Sequence, residues 1–79
     1  MDNTYNGWTN YETWNVALYI QNEYGLYQMA KQCEDYSHLV EIITEVSSQA
    51  TPDGVSWTDP KLDIDELNEM MVELRDPEA

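Results

Sequence analysis

Residues 37–50 read SHLVEIITEVSSQA, and this stretch decides the fold class. It is rich in β-branched residues, which suit strands. A half-buried strand would alternate apolar and polar positions. Leu39, Ile42, Ile43, Val46 and Ala50 instead recur at steps of three and four, the spacing of one helical face. Glu41 and Glu45 stack at i, i+4 on another side. The period predicts a helix over 37–50, capped by Asp35 or Ser37. With this segment helical, no other segment argues for a sheet, and the chain is expected to be all-α.

The segments before it follow the same period. Leu26, Met29, Ala30 and Cys33 sit at i, i+3, i+4 and i+7, which predicts a helix over about 25–35. Trp14, Ala17, Leu18 and Gln21, widened by Val16 and Ile20, predict another over about 10–22. Thr9-Asn10-Tyr11-Glu12 reads as a capping box, with Thr9 as N-cap and the Glu12 carboxylate reaching back. Gly25 is available for a left-handed cap between these two helices. Residues 1–8 hold turn formers around Gly7 and form a lead-in.

Beyond residue 50 comes the one long connection, TPDGVSWTDPKL, residues 51–62. Pro52-Asp53-Gly54 and Asp59-Pro60 are turn signals. Trp57 between them is expected to pin the loop to the core, the alternative being an exposed contact. The last helix, expected over 63–75, starts at the N-cap Asp63. Leu62 and Leu67 occupy the two positions of a hydrophobic staple. Ile64, Leu67, Met71 and Leu74, with Met70, form its apolar stripe, and Pro77 ends it. The expected architecture is therefore a single domain over 1–79, a small bundle of about four short helices. Trp14, Leu18, Met29, Cys33, Ile43, Leu67 and Met71 hold the stripe centres and are expected to be buried.

Charge is the strongest global feature. Sixteen Asp and Glu face three Lys and Arg, a net −13 in 79 residues. Duplex binding needs clustered cations that release counterions, so direct nucleic-acid binding is disfavoured, as is an anionic membrane surface. The partner such a surface fits is a protein with a basic face. The plain alternative is that the charge serves solubility. At 42% hydrophobic residues the chain is too apolar for a disordered acidic tail. There is no apolar run near 18 residues and no basic, signal-like start, so a cytoplasmic protein is expected.

Catalytic groups are sparse. Cys33 and His38 are the only residues of their types. They leave no zinc set and no disulfide, and the helical stripe makes Cys33 a small core residue. His38 is expected at the surface. Asp53, Asp59, Asp63 and Asp65 resemble calcium ligands superficially, but the Gly and Glu that a helix-loop-helix calcium loop requires are missing from its sixth and twelfth positions. No Gly-rich phosphate loop exists. The expectation is no enzyme, no metal and no cofactor.

The stretch NGWTNYETWNVALYIQNEYGLY, residues 6–27, resembles a family of short proteins found in bacteriophages and in bacteria carrying mobile elements. Its core is Asn10-Tyr11-Glu12-Thr13-Trp14-Asn15 followed by Val16-Ala17-Leu18. The acidic segment LDIDELNEMM, residues 62–71, resembles the C-terminal part of such proteins more loosely. The resemblance implies a phage or mobile-element context and a host cytoplasm, and it carries no activity.

In that context an acidic surface suggests an inhibitor of a host defence complex, of the anti-CRISPR or anti-restriction kind, that imitates DNA. Carboxylates on a helix repeat about every 5–6 Å, near the spacing of phosphates along a strand. The candidate acidic face is Asp63, Asp65, Glu66, Glu69, Glu73 and Asp76. Residues 51–79 hold nine acids against Lys61 and Arg75, a net −7. A second candidate face is Tyr11, Glu12, Asn15 and Tyr19, where polar groups interleave with aromatic ones. The rival readings are an adaptor that docks through aromatic residues, with charge irrelevant, and an orphan domain whose charge keeps it soluble. Both a monomer and a homodimer fit the sequence.

Overall fold

The computed structural model describes residues 5–46 and 49–75. Four helices form: α1 Tyr11–Asn22, α2 Tyr24–Lys31, α3 Tyr36–Val46 and α4 Ile64–Arg75. Among the described residues there is no strand, only two isolated antiparallel bridges, Tyr5 with Trp8 and Ala50 with Ser56. The chain is an all-α domain.

The helices sit where the apolar period places them, but several ends differ. The N-cap of α1 is Asn10, not Thr9. The Asn10 side-chain oxygen accepts from the Thr13 amide at 2.9 Å and the Thr13 hydroxyl at 2.7 Å. Thr9 is drawn away because its N–H and hydroxyl both bond acids of the α4 end. The expected capping box is thus replaced, and Glu12 instead faces Lys61 at 3.9 Å. Gly25 lies inside α2, and the break falls at Glu23, whose extended backbone (φ −85, ψ 117) separates α1 from α2.

Helix α2 is shorter than expected and ends at Lys31, with Gln32 as C-cap. Cys33 lies beyond the helix yet remains buried. Helix α3 starts after Asp35, whose carboxylate accepts from the His38 amide at 3.0 Å. The helix runs to Val46, which is expected in the apolar stripe but is exposed. Residues 47–48 of the expected helix lie outside the described residues, and Ala50 has already left helical geometry to bridge Ser56. Helix α4 keeps its expected cap, with Asp63 accepting from the Glu66 amide at 3.1 Å. Both staple leucines, Leu62 and Leu67, are buried, while Ile64 is 39% exposed. The position of Pro77 lies outside the described residues.

Helix α3 packs on α2 and α4 but not on α1. The loop 49–63 fills that gap. Trp57 is buried there, and its carbonyl accepts from the buried Tyr36 hydroxyl at 2.6 Å. Burial without a charged neighbour pushes the Tyr36 phenol well above its ordinary range. The Thr51–Val55 turn closes with Thr51 N–H to the Val55 carbonyl at 2.8 Å, and Gly54 supplies its positive φ of 94°. Trp57 therefore anchors the loop, as its position between two turn signals suggests.

The phase of α1 is the main correction. Its buried positions are Thr13, Asn15, Val16, Ala17 and Ile20, while Trp14 and Leu18 are only half-buried and Gln21 is exposed. Counting apolar residues points Trp14 inward. The observed rotation puts Thr13 and Asn15 inside, where long-range partners satisfy their polar atoms. Met29 is likewise half-buried, packed against the core edge, whereas Cys33, Ile43, Leu67 and Met71 are buried as expected.

Candidate functional site

The acidic end of α4 is built by cross-links to the start of α1. Asp63 accepts from the Thr9 hydroxyl at 2.7 Å, and its own amide donates to the Thr13 hydroxyl at 2.9 Å. Glu66 accepts from the Thr9 amide at 2.9 Å. The Asn10 side-chain amide donates to the Lys61 carbonyl at 2.6 Å. The Thr9 hydroxyl, and then the Glu66 amide, hold the Asp63 carboxyl below its ordinary range. Asp63 and Glu66 are thus structural ties as well as surface charges.

Glu69 and Glu73 are exposed, and with Glu66 they line one concavity of about 280 Å³ that also includes Gly7, Trp8 and Met70. The three acids occupy i, i+3 and i+7, so they share one side of α4. Asp65 is exposed but does not line this concavity. Asp76 lies outside the described residues. The protein's basic residues are engaged elsewhere. Lys61 meets Glu12 in the only ion pair among the described residues. Lys31 lies 5.2 Å from the Tyr27 ring centre, and Arg75 donates to the Cys33 carbonyl at 3.1 Å. The α4 carboxylates therefore make no ion pair among the described residues.

The second candidate face divides. Asn15 is fully buried and unavailable as a surface contact. It acts as a joint: its oxygen accepts from the Thr51 hydroxyl at 2.7 Å, and its nitrogen donates to Asp53 at 2.8 Å. The Tyr19 hydroxyl donates to the same Asp53 oxygen at 3.2 Å. Partial burial, and then the Asp53 charge, push the Tyr19 phenol above its ordinary range. Glu12 is half-buried beside Lys61, and Tyr11 is exposed.

A three-ring cluster, not anticipated as a unit, sits beside this joint. Tyr5, Tyr11 and Trp14 meet with ring centres 4.9–5.7 Å apart. Tyr5 reaches it because Asn6 and Gly7, with φ of 51° and 89°, form a tight turn closed by two Tyr5–Trp8 backbone bonds. Both positive φ values mark a type I′ turn, for which Asn-Gly is the preferred pair. That dipeptide was the legible signal; the docking of Tyr5 on α1 was not.

Two further hollows flank Trp57. One of about 370 Å³ is lined by Tyr36, Val40, Pro60, Leu62 and Ile64 among others. The other, of about 450 Å³, involves Tyr19, Glu23, Leu26 and Pro52. The buried Trp57 indole N–H has no partner among the described residues. Burial, and then the Asp35 charge, raise the Cys33 thiol, which disfavours its thiolate. His38 is exposed, and its Nδ1 accepts from the Glu34 amide at 3.4 Å. Among the described residues, no helix is long and apolar enough to cross a membrane.

Over residues 1–78 the chain matches the model of a family of unknown function, DUF7249, and it belongs to that family. No curated protein and no solved structure matches it.

Proposed function

We propose that this member of the DUF7249 family is a non-catalytic binding protein that docks its acidic α4 face on a basic, nucleic-acid-handling protein complex. The carrying observation is the row Glu66, Glu69 and Glu73 around one concavity, none of them in an ion pair among the described residues. Uncompensated carboxylates on one rigid helix present a directional field, which steers a basic surface toward them. The resemblance of residues 6–27 to phage and mobile-element proteins makes the complex a host defence one, of the anti-CRISPR or anti-restriction kind, in the host cytoplasm. There the acidic face would take the place of DNA.

The test starts from a complex retained from the natural host by the tagged protein. Duplex DNA should displace the protein from it, and rising salt should weaken the interaction steeply. Replacing Glu66, Glu69, Glu73 and Asp76 by their amides should abolish retention while the helical circular-dichroism signal stays. Gln at position 66 still offers an oxygen to the Thr9 amide, so folding is preserved. Full retention by the folded variant, insensitive to DNA, would rule the acidic-face reading out. The Tyr5–Tyr11–Trp14 cluster, with both tyrosines exposed, favours a second reading, docking through aromatic residues, in which salt would have little effect.

A further inference from the structure

The three-ring cluster lies next to a fixed carboxylate. Tyr5 and Tyr11 keep 40% and 39% of their surface exposed. The Asn15 nitrogen lies 3.5 Å from the Tyr11 hydroxyl and 2.8 Å from the Asp53 carboxylate, so Asp53 sits at the hydroxyl end of Tyr11. Asp53 is exposed, and no cation pairs with it among the described residues. Asn15 is itself buried and held by Thr51, and Tyr19 braces the same carboxylate. Rings and carboxylate are therefore presented together by a rigid support.

We infer that Tyr5, Tyr11, Trp14 and Asp53 form a receiving site for an arginine side chain of a basic protein partner. The inference rests on the reading above only in taking the partner to be basic. Ring faces carry the negative part of the aromatic quadrupole and attract a cation. A nearby carboxylate adds a charge-assisted hydrogen bond. Guanidinium suits both at once: it is planar, stacks on rings, is weakly hydrated and offers a fork of donors to a carboxylate. Ammonium offers a point charge and holds its water more tightly. The protein's net charge of −13 brings such a group in.

The experiment uses the whole protein with three tripeptides, tri-arginine, tri-lysine and tri-citrulline, at low ionic strength. Two-dimensional NMR follows the three indole N–H signals and the Asn15 side-chain amide. Tri-arginine should shift the Trp14 indole and Asn15 amide signals, leaving that of Trp57 in place. It should bind more tightly than tri-lysine, and tri-citrulline should not bind. Tyr11→Leu and Asp53→Asn should each weaken tri-arginine about two- to five-fold, the scale of an exposed cation–π contact and of an exposed ion pair respectively. Tyr5→Leu should do the same, and serves should Tyr11→Leu not fold. Equal binding of the two basic peptides, with shifts confined to the amides of Glu69 and Glu73, would show attraction by net charge alone and overturn the site. Unchanged tri-arginine binding in the folded variants would also overturn it, leaving the cluster as a clip for the N-terminal turn. A host complex indifferent to the α4 amide variant would remove the acidic-face reading without touching this one.

Discussion

Replacing Asn15 by Ala should be among the most damaging changes in the molecule, although it removes a polar residue from a helix. The amide is fully buried and joins α1 to the loop 49–63 through Thr51 and Asp53. A hydrogen bond to a charged group contributes about 1.5–3 kcal/mol, and the exposure of Asp53 puts this one at the lower end. The Thr51 hydroxyl, on a residue only 4% exposed, loses its acceptor. An orphaned buried donor costs about 1–3 kcal/mol. Alanine returns up to about 0.7 kcal/mol of helix propensity. The net expectation is a loss of roughly 2–4 kcal/mol, from the preceding ranges. For a domain of this size that lowers the melting temperature by roughly 10–30 °C. Urea denaturation followed by circular dichroism is the assay, with an unchanged m-value showing that only stability moved. Gln21→Ala, on the exposed side of the same helix, is the control and should stay within about 0.5 kcal/mol of the parent. Thr51→Val should cost less in the Asn15→Ala background than alone, because the shared bond is already gone. A loss for Asn15→Ala below about 0.5 kcal/mol would refute the view that this amide sets the phase of α1.

Two other perturbations follow from the same contacts. Leu67→Ala truncates a fully buried staple residue and should cost about 2–5 kcal/mol in the same denaturation assay; a value near that of the control would mean the stripe of α4 is not core. Asp63 has a carboxyl held below its ordinary range, so its ionised form stabilises the fold at pH above the unfolded value of about 3.9. That contribution should fade as pH falls through the lower, folded value. Thermal melts between pH 6 and pH 2 should therefore show a smaller acid loss in Asp63→Asn than in the parent, and parallel curves would count against the Thr9–Asp63 tie.

Helix number, class and most helix positions were legible in the sequence because they depend on neighbours within four residues. The period of Leu39, Ile42 and Ile43 outweighed the β-branched chemistry of the isoleucines and of Val40, and α3 is a helix. Asp63 caps α4, and Leu62 and Leu67 are buried around that cap, as the staple spacing requires. The surplus of carboxylates is a property of composition alone. What the tertiary structure decided concerns polar groups whose partners lie far along the chain. Thr9 gives up its cap because Asp63 and Glu66, 54 and 57 residues away, take its donors. Asn15 turns inward because Thr51 and Asp53, 36 and 38 residues away, complete its amide. That rotation leaves Trp14 half-buried, where it meets Tyr5 and Tyr11. Helix α3 begins where it does partly because the Asn68 side chain, from α4, accepts the Tyr36 amide at 2.8 Å. Apolar burial follows spacing at Ile43, Leu67 and Met71, since any apolar neighbour serves there. It departs from spacing at Trp14 and Leu18, where buried polar groups set the phase of α1. A buried amide or hydroxyl needs a particular partner at hydrogen-bond distance, and only the folded chain brings that partner to it.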